Sequence, residues 1–199
     1  MSRRARLSSS NLAHPESLIH ALAQRFQSYL FFPVPDPLYV VLGALAAAML
    51  KGPNCWVLLI GPPSAGKTIM LEALGHLTND VNKTPSEKDK LTKNVAIVGR
   101  WTSEGALLSG TSNKERGKGA TGGLLPQLGA SGMLVMKDFT SMLSNDPAKQ
   151  DGIRALREVF DGRYGRTLGV DGGRRLEWQG KLGFIAACTG AIDRHSEAI

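Results

Sequence analysis

Eight consecutive residues, Gly61-Pro62-Pro63-Ser64-Ala65-Gly66-Lys67-Thr68, place two glycines, a lysine and a hydroxyl at the spacing GxxxxGK[ST]. That spacing suits the phosphate tail of a nucleotide. A triphosphate needs several convergent backbone N–H donors, and Gly61 and Gly66 let a loop curl around the anion with no Cβ in the way. A helix starting near Lys67 would aim its N-terminal dipole at the same charge. Lys67 would reach the terminal phosphates, the Thr68 hydroxyl would coordinate Mg²⁺, and the contacts would run from Gly61 through Ile69.

A phosphate loop of this kind works with an acid at the end of another apolar strand. Met133-Leu134-Val135-Met136 supplies the strand, and Lys137-Asp138 occupies the place where an Asp-Glu pair would be expected. One carboxylate cannot serve both faces of a strand end, so Asp138 either holds the metal, the preferred reading, or orients water; a plain helix cap is the alternative. Glu104 would lie beside the terminal phosphate if the strand Val95-Ala96-Ile97-Val98 neighbours the loop strand, and is otherwise a first-turn helix acid. Glu158 and Asp161 are further candidates for activating water. Thr189, ending GFIAACT, could bind the attacking water or the γ-phosphate, or cap the residues after its strand. Arg163 and Arg166 in DGRYGR could serve as an arginine finger, or form a solvated basic turn.

The elements that must position these residues are legible in part. Leu18, Ile19, Leu22, Phe26 and Leu30 recur at helical spacing after Pro15. After FFPVPDP, Asp36 and Pro37 open a second helix that reaches Lys51, apolar on nearly every side. CWVLLI reads as a buried parallel strand running into the glycine loop and the helical IMLEALGHL. Residues 79–94 form a polar excursion before VAIV. The Gly-rich segment from Gly110 to Gly132, with Lys114, Arg116 and Lys118, reads as a mobile loop. GMLVM is a strand, Ala148 to Phe160 a helix, YGRTLGV and RRLEW a hairpin about an Asp-Gly turn, and GFIAAC a final buried strand.

The chain has 199 residues, 24 Lys plus Arg against 17 Asp plus Glu, and 42% hydrophobic residues, which excludes an acidic or disordered tail protein. The net charge of +7 is compatible with contacts to a nucleic-acid backbone. Cys55 and Cys188 are too few and too far apart for a disulfide framework or thiolate metal site, so a reducing cytoplasm is expected. The apolar run Leu38 to Leu50 is about 13 residues, short of a membrane span. We expect an α/β fold, a three-layer core with a parallel central sheet and a β-hairpin insertion. Its parts are a flexible basic start over 1–14, two helices packed on the core over 15–52, and the core itself over 53–199.

The order GPPSAGKT, acid-ended strand, helix, hairpin and GFIAACT resembles the nucleotide-binding core of AAA+ and related P-loop ATPases. The hairpin is similar to that of the helicase and activator branches. WVLLIGPPSAGKT, GMLVMKDFTSML, LREVFDGRYGR and CTGAIDRH together resemble the helicase-like ATPases of phages and mobile elements. The resemblance covers about Asp36 to His195. It implies ATP binding at Gly61, Gly66, Lys67 and Thr68, metal or water handling at Asp138, γ-phosphate sensing at Thr189, and a ring or dimer. Two features depart from the family. The Asp-Glu pair is missing, and the length leaves no room for a last strand and helical lid, so an incomplete core, or one completed by a partner chain, is expected. Three functions are compatible with these residues: an ATP-driven motor or switch on DNA, an ATP-binding assembly module without efficient hydrolysis, and a small-molecule phosphotransferase.

Overall fold

The computed structural model describes residues 15–30, 34–76, 95–101, 103–110, 122–169 and 173–198. The basic start, the polar excursion, Lys114, Arg116, Lys118 and the Asp-Gly turn at 171–172 lie outside the described residues. The chain divides into two units, Met1–Val40 and Val41–Ile199. The first contains α1 (Pro15–Gln27) and the opening of α2 (Asp36–Met49). Ala23 of α1 is buried, whereas Leu18, Ile19 and Leu22 on its apolar face are exposed. Amphipathy sets which face can be buried, but burial itself requires a partner surface.

The division falls inside α2. The last turns of that helix belong with the sheet because Lys181 donates from Nζ to the carbonyls of Ala47 (3.0 Å) and Leu50 (2.7 Å). Gly183 allows the close approach: a Cβ there would sit 2.9 Å from Cβ of Ala48.

The second unit is built on β1 (Trp56–Ile60), β2 (Val95–Val98), β3 (Ser131–Met136) and β6 (Lys181–Cys188), with β4 (Arg163–Thr167) and β5 (Arg175–Gln179) forming a separate antiparallel hairpin. The four-stranded sheet runs in the order β1-β6-β3-β2 and is parallel throughout. Parallel strands need crossover connections, and these are supplied by α3 (Lys67–His76), the short α4 (Leu124–Leu128) and α5 (Pro147–Phe160). Asp146 caps α5, its carboxylate accepting from Ala148 N at 3.0 Å, and Pro147 takes the first turn.

Alternation along β6 assigns the two sides of the sheet. Leu182, Phe184, Ala186 and Cys188 enter one apolar core with Ile153, Leu156 and Val159 of α5, while Gly183 faces α2. Helix α3 packs on β2 and β6. Since β1 to β2 moves one way across the sheet and β2 to β3 to β6 moves back, right-handed crossovers put α3 and α5 on opposite faces. Helices therefore flank the parallel sheet, as its apolar strands require.

The Gly-rich segment is not a loop throughout. From Gly122 onward it turns inward, and Leu125 and Leu128 of α4 are fully buried. Gly123, at φ 115°, makes this entry: a Cβ there would lie 2.6 Å from the Leu107 carbonyl oxygen. Two leucines three residues apart outweigh the flanking glycines. No helix among the described residues is long and apolar enough to cross a membrane.

Candidate phosphate site

The loop Gly61–Thr68 sits between the carboxyl end of β1 and the start of α3, a strand-loop-helix connection. Ile60 pairs with Cys188 in the parallel ladder, and Gly61 N continues the pairing by donating to Cys188 O at 3.2 Å. Beyond that point the backbone folds back on itself. Ser64 (φ 62°) is the single non-glycine residue with positive φ among the described residues, and Gly66 follows at φ 76°. Non-glycine residues rarely adopt this conformation, and when they do they cluster where a ligand is held. Lys67 arches over the loop, donating from Nζ to the carbonyls of Gly61 (2.8 Å) and Pro62 (2.6 Å). Its ammonium is thus within reach of any anion that the loop would cradle. Thr68 and Ile69 lie on the first turn of α3, Ile69 exposed.

The strand order fixes where the other candidates fall. Because β6 lies between β1 and β3, Thr189 emerges beside Gly61, and Asp138 emerges one strand further on. The Thr189 hydroxyl faces Thr140: Thr189 N donates to Thr140 Oγ1 at 2.9 Å, and the two hydroxyl oxygens are 3.4 Å apart. It also accepts from Ala191 N at 3.4 Å, so capping of the following turn is part of its role. Asp138 is exposed, and its Oδ1 accepts from Ser141 N at 3.2 Å while its carbonyl accepts from Ser141 Oγ at 2.9 Å. These bonds tie Asp138 to the 3₁₀ turn Thr140–Met142.

Glu104 does not meet the condition under which it would serve the phosphate. β2 neighbours β3, three strand positions from β1, or about 14 Å. Glu104 instead opens the 3₁₀ turn Glu104–Ala106 and binds the hairpin. Arg166 Nη2 lies 3.1 Å from its Oε1, and the Tyr164 hydroxyl donates to its Oε2 at 3.2 Å. Arg166 Nη1 donates to Leu108 O at 3.0 Å. Arg166 therefore fastens β4 to the Glu104 turn within its own chain.

Asp161 lies toward the opposite end of β1 from the loop, and Arg163 follows it at the start of β4. Asp161 follows Phe160, whose ring packs edge-on against Trp56 at 5.1 Å. Trp56 begins β1 and the loop follows its end, five residues or about 16 Å away. Glu158, Asp161 and exposed Arg163 line a hairpin cleft of about 760 Å³ with Arg175 and Glu177.

Two groups near the loop carry no local sequence signal. Glu72, four residues after Thr68 on α3, pairs with Lys137 across 2.7 Å. Burial raises the Cys188 thiol most; Lys67 then pulls it down electrostatically, and Asp193 raises it. Both charges therefore bear on the strand end beneath the loop. Only the strand order reveals these neighbours.

Tyr164 is held well above the ordinary phenol range, first by burial and then by the Glu104 carboxylate that its hydroxyl meets. The unfolded chain's phenol ionises near pH 10 while the folded one keeps its proton, so this contribution is intact below pH 10 and is lost as pH rises above it. Denaturation midpoints at pH 9 and 11 should therefore fall less steeply for Tyr164→Phe than for wild type. Equal slopes would remove Tyr164 from the alkaline response.

The fold defines an α/β chain with helices flanking a four-stranded parallel sheet and a strand-loop-helix connection at the carboxyl end of β1. No family model and no curated protein matches the chain.

Proposed function

We propose that the chain is a P-loop protein that binds ATP with Mg²⁺ at Gly61–Thr68 and hydrolyses it to drive a motor or switch acting on DNA. The observation carrying this reading is Lys67, its ammonium spanning a loop that the positive φ of Ser64 and Gly66 bends at a helix start. The loop's position supports it: ligands of open parallel sheets bind outside the carboxyl ends of the strands, where the chain order reverses. Here the chain leaves β1 for the far edge and returns through β3 to β6.

Mg²⁺ takes few protein ligands and keeps phosphate oxygens and water, so the Thr68 hydroxyl and the second carboxylate oxygen of Asp138 suit it. When bound it would neutralise charge on the phosphates. Thr189 is adjacent to the loop and is the residue we assign to sensing the terminal phosphate. The +7 charge supports a polyanionic partner. A helicase-like action and assembly with further copies, or with a partner that extends the core, belong to the same proposal.

A second reading, an ATP-binding assembly module without efficient turnover, is favoured by one observation: two of the carboxylates considered for activating water, Glu104 and Asp138, are engaged elsewhere. Glu104 is bound to Arg166 and Tyr164, and one oxygen of Asp138 accepts from Ser141 N. Phosphate release from ATP, measured with and without single- and double-stranded DNA, separates the readings. DNA-stimulated release that is lost in Lys67→Ala and Asp138→Ala supports the motor. ATP binding with no release supports the module, and failure of wild type to bind ATP at millimolar concentration sinks both.

A further inference from the structure

Lys137 stands where the sequence pattern calls for a metal-holding acid. Its backbone N–H donates to Val98 O at 2.9 Å at the carboxyl edge of the sheet. Its side chain crosses to α3, where Nζ meets Glu72 Oε1 at 2.7 Å. Met133, Val135 and Lys137 alternate toward one face of β3, and Met133 meets Gly183 on the side where α2 packs. Glu72 follows Thr68 by four residues, so the two share a helix face at a separation of about 6 Å. Glu72, the carboxylate that the ammonium meets, is therefore one helical turn from the residue assigned to the metal. The pair is open to solvent, with side chains 33% and 47% exposed. Exposed pairs are weak and exchange readily. A polyphosphate arriving at Lys67 and Thr68 would present several negative charges to Lys137, against the one carboxylate that holds it.

Resting on the phosphate-site reading, we propose that Lys137 is a second phosphate-binding cation. Glu72 is its positioning residue, and Lys137 takes over part of the charge neutralisation that a divalent ion supplies. A lysine ammonium meets phosphate as a compact point charge with three donors, so it needs no fixed approach angle and suits a side chain that swings from one anion to another. The contact serves a polyphosphate tail and not a lone α-phosphate.

The test is the dissociation constant of ATP and of AMP, with Mg²⁺ and with EDTA, for wild type, Lys67→Ala, Lys137→Met and Lys137→Arg. Lys137→Met should weaken ATP binding in EDTA by roughly tenfold, the loss of one charge-assisted contact, and by no more than about threefold with Mg²⁺. AMP binding should not change, and Lys137→Arg should recover most of the loss. Melting of the unliganded variants checks folding, with Lys137→Gln as the substitute if the methionine variant does not fold. If Lys137→Met matches wild type in EDTA, or weakens ATP and AMP equally, the second cation is overturned while the phosphate site stands. If wild type and Lys67→Ala both fail to bind ATP in either condition, the phosphate site falls and Lys137 with it.

Discussion

Lys67→Ala should weaken ATP binding by on the order of a hundredfold, because charge-assisted contacts to two phosphates are lost together. The fold should barely notice. The side chain is only half-buried, and its two partners are loop carbonyls that water can satisfy. The expected signature is thus a large change in affinity with a melting temperature within a few degrees of wild type. Lys67→Arg sharpens the result: its planar fork is larger than an ammonium, and the loop closes on Lys67 with Gly61 and Pro62 oxygens at 2.8 and 2.6 Å, so arginine should restore charge without restoring affinity. Unchanged ATP affinity in Lys67→Ala, measured by titration calorimetry, would remove the loop from the proposed function.

Phe184→Ala should have the largest effect on stability, about 3 to 5 kcal/mol. Phe184 lies in the middle of β6, 1% exposed, with its ring 4.8 Å from that of Trp56 and 5.9 Å from that of Phe139. It also lines an apolar cleft of about 400 Å³ with Leu58, Ile153 and Leu156, so truncation enlarges a space that the neighbours already leave open. The same ring supports Phe139, the residue after Asp138, whose N–H donates to Ala187 O at 2.9 Å. Loss of Phe184 should therefore loosen the Asp138 turn as well as lower the midpoint of urea unfolding. A destabilisation below about 1 kcal/mol would mean that α5 and the sheet do not meet through this residue.

The strands and main helices could be read locally because period-two and period-3.6 patterns, Pro and Gly are short-range signals. CWVLLI became β1, GMLVM became β3 and GFIAAC became β6, and the two hairpin strands paired as expected. The Gly110 to Gly132 segment misled, since seven glycines mask two leucines whose burial depends on residues distant in sequence. Glu104 and Arg166 have the chemistry of site residues, yet they face each other. A carboxylate and a guanidinium look the same in sequence whether they serve a ligand or one another.

By itself the sequence determined the strand-loop-helix stretch around Lys67, since glycine spacing and a following helical pattern act within ten residues. Only the tertiary structure decided that β6 lies between β1 and β3. That order brings Thr189 beside Gly61 and holds Glu104 about three strands away. It also decided that Lys137 reaches Glu72. The physical reason is that strand neighbours are chosen by how whole apolar faces and crossovers pack, a choice that no single segment contains.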